Sequence, residues 1–218
     1  MDIQRILVIF AHPDDETFTA CALLSMYAGR GIPITYVCLT LGEMSRNLGI
    51  PPFANRETLP SVRKKEVETA CEIIGISDLR LWGYRDKTLE FEDKQELIHK
   101  IHSVILETNP SMIITFYPGF GVHPDHNACG TAVIQALKRI PKMERPLVYG
   151  VAFDKNSEKV LGSPDVVLDV APFIEKKIAA LLAHRSQTES RLRLIINRDI
   201  QAFPWLKEEK FWIYKWDD

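Results

Sequence analysis

Five apolar or extended runs recur along the first two thirds of this chain, and segments of helical period separate them. They are "IQRILVIFA" (Ile3 to Ala11), "PITYVCLT" (Pro33 to Thr40), "LRLWG" (Leu79 to Gly83), "SMIITFYP" (Ser111 to Pro118) and "PLVYGVAF" (Pro146 to Phe153). The spacing between them predicts helices over Glu16 to Ala28, closed by Gly29, and over 61–74, with Ser61 as N-cap and Gly75 as stop. Two more are predicted, over roughly 93–107 and from about Asn127 to Lys138. Alternation of this kind builds βαβ units, whose right-handed crossovers stack helices on both faces of a mostly parallel sheet.

The last third is mixed: "DVVLDV", a long helix through "FIEKKIAALLAH", a further helical stretch and the late strand "KFWIYKW". The expectation is an α/β, Rossmann-like, mostly parallel twisted sheet with helices on both faces, a single domain over residues 1–218. Hydrophobic residues make up 46% of the chain, enough for one sizeable core and too much for a disordered polymer. A net charge of -2 gives no electrostatic ground for nucleic acid or an anionic membrane as partner.

No apolar run reaches bilayer-spanning length. "MDIQRILVIFAHPDDE" reads as a first core strand rather than a signal peptide, because acids follow its apolar stretch and no small-residue cleavage site does. Cys21, Cys38, Cys71 and Cys129 lie far apart, form no CxxC, and read as reduced, buried cysteines of a cytoplasmic protein. Loop 41–60, "LGEMSRNLGIPPFANRETLP", has the length of a lid or binding loop. The aromatic tail "FPWLKEEKFWIYKW" reads as a core strand before it reads as an oligomer interface.

Two clusters stand at strand ends. His12-Pro13-Asp14-Asp15, followed by Glu16, closes the first run, and His123-Pro124-Asp125-His126 lies just beyond the fourth. Ligands of an open parallel sheet bind outside the carboxyl ends of its strands, so neighbouring first and fourth strands would make the clusters face each other. Helix capping alone accounts for a proline at the first helical position with acids in the first turn. It does not account for three like charges side by side.

A divalent ion held by His12, Asp15 and His126 would neutralise that crowding and leave a position for water, as in catalytic zinc sites. Asp14 would then be the base that takes a proton from water, and His123, beside Asp125, a cation for a developing oxyanion or a leaving amine. Two histidines and a carboxylate also suit iron(II). Gly119-x-Gly121 is a weak dinucleotide fingerprint with Pro124 where a third glycine belongs, which keeps a non-catalytic nucleotide-binding Rossmann module as the alternative of a different class.

These residues resemble the LmbE-like, or PIG-L, family of zinc-dependent N-acetylglucosaminyl deacetylases. "AHPDDE" is similar to its opening motif and "HPDH" to its downstream HxDH. "SVRKKEVETACEIIG" resembles its RxxE helix, "LWGYRD" its short GYxD-like stretch, and "KKIAALLAHRSQ" its KxxAxxxHxSQ helix. The resemblance implies His12, Asp15 and His126 as zinc ligands, Asp14 as general base, and His123 with Asp125 as the oxyanion-stabilising acid. It places Arg63, His184 and Gln187 at the substrate. The plainer readings are a solvated helix charge for Arg63 and a structural helix end for His184 and Gln187.

Within the family the chain is similar to the bacillithiol-biosynthesis deacetylases. That implies N-acetylglucosaminyl malate as a small amino-sugar substrate, with a bacillithiol S-conjugate amidase as the other hydrolytic reading. Malate's carboxylates call for a cation, and Arg46, Arg56, Arg63 and Arg85 are the candidates. Trimeric or hexameric assembly is also implied by the resemblance.

Overall fold

The computed structural model describes residues 2–199 and 201–216. Its strands are β1 (Ile6–Phe10), β2 (Ile34–Thr40), β3 (Asp78–Tyr84), β4 (Met112–Phe116), β5 (Leu147–Val151), β6 (Val166–Asp169) and β7 (Glu208–Ile213). They form one sheet in the order β3-β2-β1-β4-β5-β7-β6. The first five in that order run parallel, and β7 is antiparallel to both β5 and β6. Every residue of β1, β2 and β4 is buried, as continuous apolar strands covered on both faces must be.

The helices are α1 (Asp15–Gly29), α2 (Leu59–Ile74), α3 (Lys94–Thr108), α4 (Pro124–Leu137), α5 (Ser157–Leu161), α6 (Ile174–Ala183), α7 (Arg185–Thr188) and α8 (Leu192–Ile196). α1, α2 and α6 pack together on one side of the sheet, and α3 packs with α4 on the other. β1 and β4 are neighbours, yet the chain leaves β1 toward β2 and leaves β4 toward β5. Their carboxyl ends therefore bound the crevice where this kind of sheet holds ligands.

Two helix starts differ by more than one residue from the sequence expectation. α4 starts at Pro124 rather than Asn127, because His123 caps it: its Nδ1 accepts the Asp125 N–H at 3.1 Å. α2 starts at Leu59, so Ser61 is not its cap; Asn55 Oδ1 instead accepts the N–H groups of Glu57 and Thr58, each at 2.9 Å. Gly75 does end α2, at φ 98°. The aromatic tail is a core strand, with Phe211 and Trp212 of β7 buried. The four cysteines are buried and unbridged.

A fully buried ion pair ties β7 and α6 to α1. Lys177 Nζ lies 2.7 Å from Glu209 Oε1 and donates to the Phe18 carbonyl at 3.1 Å. Glu209 in turn accepts the N–H groups of Ala22 and Leu23. No helix among the described residues is long and apolar enough to cross a membrane.

Candidate metal centre

His12 Nδ1 lies 3.1 Å from His126 Nε2. Asp15 fits between them, with Oδ2 3.5 Å from His12 Nδ1 and Oδ1 3.4 Å from His126 Nε2. A tetrahedral ion with bonds of about 2.0–2.1 Å holds its ligands about 3.3–3.4 Å apart. The hydrogen bonds around the rings assign their tautomers. His126 Nδ1 stands 3.1 Å from the Gly121 carbonyl, and His12 Nε2 stands 3.2 Å from the carboxylates of both Asp125 and Asp86. Each of those nitrogens must carry a proton, so His12 Nδ1 and His126 Nε2 turn lone pairs toward each other beside a carboxylate. That arrangement suits a bound divalent cation.

The electrostatics agree with the crowding. Burial alone would raise the Asp15 carboxyl, yet His126 and His12 hold it well below the usual carboxylate range. Burial opposes charge on His12, but its hydrogen bonds to Asp125, Asp15 and Asp86 outweigh that and raise it well above the usual imidazole range. Phe116 stacks flat on the His126 ring at 4.0 Å between centroids, fixing its plane. Gly121 explains the GxG stretch without a nucleotide: a Cβ there would stand 2.5 Å from the His126 Cβ, so the glycine makes room for the ligand.

The expected pairing of His123 with the Asp125 carboxylate is corrected by the geometry. Asp125 is fully buried; its carboxylate meets His12 Nε2 and accepts the N–H groups of Lys87 at 2.7 Å and Leu89 at 3.1 Å. His123 receives only the Asp125 backbone N–H, on Nδ1, which leaves Nε2 as its protonated nitrogen. Burial and the neighbouring His12 and His126 push His123 below the usual imidazole range, against the pull of Asp125 and Asp86. Its ring stands 4.8 Å from His12 and 5.2 Å from His126, centroid to centroid.

Asp14 is turned away from the other donors by its backbone, at φ 100° and ψ -23°. Its Oδ2 accepts from Arg63 Nη2 at 2.9 Å. Burial raises the carboxyl to about 6 against the pull of Arg63, with Asp15 adding to the rise. Arg63 is buried, not solvated, and also donates to the carbonyls of Pro13 and Gly42. Gly42, at φ +62°, is the cradle: a Cβ there would fall 1.6 Å from Arg63 Nη1.

His184 and Gln187 lie behind the centre instead of lining it. His184 is fully buried, with Nε2 2.8 Å from Glu16 Oε1. Gln187 Oε1 accepts the Ser45 hydroxyl at 2.6 Å, and Gln187 Nε2 donates to the Asn47 carbonyl at 3.3 Å. Gly49 N–H meets the Ser186 carbonyl at 3.2 Å, so loop 41–58 is docked on α7. Ser186 is held by Glu66, one turn along α2 from Arg63. Sequence reasoning missed Asp86, Glu16 and Glu66 as supports. The only signals were their places in "LWGYRD", "AHPDDE" and "RKKE".

A family profile described as GlcNAc-PI de-N-acetylase, PIG-L, matches residues 7–137, which hold His12, Asp14, Asp15, His123, Asp125 and His126. The chain belongs to the PIG-L family. Among its relatives, a protein of Bacillus cereus named probable N-acetyl-alpha-D-glucosaminyl L-malate deacetylase 2 is 52% identical, covering 98% of this chain and 99% of the relative. The protein of the same name from Bacillus subtilis is 50% identical, covering 99% of each. The fold is shared with N,N'-diacetylchitobiose deacetylase from Pyrococcus horikoshii, at a TM-score of 0.75 and 20% identity over 98% of this chain and 84% of that one. PIG-L membership sets aside the nucleotide-binding alternative.

Proposed function

We propose that this PIG-L protein is a zinc-dependent N-deacetylase of an acetamido sugar, with N-acetylglucosaminyl malate as substrate in bacillithiol biosynthesis. The observation that carries it is the division of labour within one turn. His12, Asp15 and His126 converge near tetrahedral spacing, while Asp14 is turned aside with its carboxyl raised to about 6. The names and near-complete coverage of the Bacillus relatives support the substrate class. A zinc ion held by the three donors supplies Lewis-acid polarisation and acidifies water; iron(II) would suit the same donors.

Asp14 takes a proton from the attacking water as the new C–O bond forms. It returns that proton to the sugar nitrogen as the C–N bond breaks, giving acetate and the free amine. His123 offers its Nε2–H to the developing oxyanion. Asp125 and Asp86 orient His12. Among the four arginines proposed for the malate carboxylates, Arg63 is occupied by Asp14, and Arg56 donates to the Glu43 and Ser45 carbonyls. Arg46 and Arg85 are exposed and take that role. A trimer or hexamer belongs to the same proposal, and sedimentation of the purified protein checks it.

The test is amine release from N-acetylglucosaminyl malate by protein stripped of metal and then reloaded with zinc. Activity that vanishes and returns with zinc is the expected result. Stoichiometric zinc without turnover of this substrate, a thiol conjugate or simple acetylated amino sugars would overturn the deacetylase reading.

A further inference from the structure

Glu16 stands in the first turn of α1, where an acid complements the helix dipole, yet it is fully buried and holds four donors. Its Oε1 accepts the Thr17 hydroxyl and faces His184 Nε2 at 2.8 Å. Its Oε2 accepts the Asp14 backbone N–H at 3.0 Å and lies 3.1 Å from the Tyr36 hydroxyl, which is also 3.2 Å from the His12 carbonyl. No carboxylate oxygen of Glu16 joins the converging donors of His12, Asp15 and His126.

The bond to the Asp14 N–H matters because of where it falls. Asp14 sits at φ 100°, a region that residues other than glycine rarely occupy unless their neighbours over-determine it. This turn gives the consecutive side chains of Asp14 and Asp15 separate directions. Were Asp14 to relax to a negative φ, its carboxylate would leave Arg63 and the reacting water. Arg63 grips the turn from one side through the Pro13 carbonyl and Asp14 Oδ2, and Glu16 grips it from the other through the Asp14 N–H.

We propose that Glu16, itself held by His184 and Tyr36, is a positioning residue that keeps Asp14 in its strained turn and so at its catalytic post. This deepens the reading of Asp14 as the base and rests on it. His184, from the end of α6, thereby serves the reaction without touching substrate. The chemistry requires a buried acceptor at this point and not a charge as such, so an amide that keeps a carbonyl toward the Asp14 N–H serves in part.

The test is a double-mutant cycle on the zinc-loaded enzyme with N-acetylglucosaminyl malate. Glu16→Ala is expected to lower kcat about 10- to 100-fold, the scale of a misplaced catalytic group, with KM within about twofold and zinc content unchanged. Glu16→Gln should recover most of that loss. In the Asp14→Asn background Glu16→Ala should cost almost nothing further, since both act through one carboxylate. Tyr36→Phe, which removes a single hydroxyl, gives a milder drop of the same kind if Glu16→Ala does not fold. Full multiplication of the two losses, or a loss of zinc in step with kcat, would overturn the positioning role. Full activity of Asp14→Asn alone would instead sink the reading of Asp14 as base.

Discussion

The chain writes His-Pro-Asp twice, once after β1 and once after β4, and folds the two copies differently. In the first, His12 is buried and gives Nδ1 to the centre, while Asp14 stays partly open. In the second, His123 is partly open and caps α4, while Asp125 is buried and carries His12. On the proposed reading only the fourth letters, Asp15 and His126, share a role. The difference lies in where the left-handed residue falls: at Asp14, the third letter, in the first copy, and at Val122, before the first letter, in the second. On the proposed reading, the copy with the left-handed third letter supplies a ligand histidine and a base, and the copy with the left-handed residue ahead of it supplies a donor histidine and a support.

Four substitutions would break or sharpen that contrast. Asp14→Asn should keep zinc and lose about 100- to 10,000-fold in kcat, read by amine release with metal analysis alongside. Asp125→Ala, at the matching letter, should do the opposite first. It should weaken zinc by about 10- to 100-fold in a competition titration, because it unhooks His12 Nε2. If the two variants behaved alike, the two copies would not divide their roles.

Gly42→Ala comes next. The added methyl cannot coexist with the Arg63 guanidinium, so Arg63 should swing off Asp14 and kcat should fall about tenfold with zinc intact. The fourth substitution concerns stability. Val122 is β-branched at φ 64°, so Val122→Gly should raise stability by about 1 kcal/mol in chemical denaturation. A loss of stability there would mean that the turn before His123 is held by contacts and is not strained.

Beside the two copies, His184 offers a pH test of the supports behind the centre. His184 is fully buried against Glu16, and although burial opposes its charge, Glu16 raises it above the usual imidazole range. The protonated form thus stabilises the fold. Its contribution is complete below about pH 6.5 and is lost as pH rises through the folded-state value. Wild-type stability should therefore fall relative to His184→Gln between pH 6 and pH 9, measured by urea midpoints. Parallel curves would show that the pair carries no charge.

Much of the centre was legible because its residues are chemically unusual where they stand. Acids packed behind an apolar strand, and histidines at two strand ends, mean little except a cation, and the alternation of elements made the two ends neighbours. The supports were not legible in the same way. Asp86 reaches His12 only because β3 lies two strands from β1, and Arg63 points inward only because a loop folds Gly42 over it. Asp125 faces His12 rather than His123 because the N–H groups of Lys87 and Leu89, about 40 residues away, hold its carboxylate there. Gln187 looked like part of a site wall and is a latch for loop 41–58, a contact between segments about 140 residues apart.

The Lys177–Glu209 pair has a consequence for where the enzyme ends. All ligand candidates lie within the first 126 residues, inside the segment that the family profile covers. Yet the residues bracing α1 and its first turn, Lys177, His184 and Glu209, all come from the final quarter of the chain. The centre is thus not a portable cassette. A fragment ending after α4 would carry every donor and lack the buttress that aims them, and grafting both histidine motifs onto another parallel sheet would transfer a binding site without its aim.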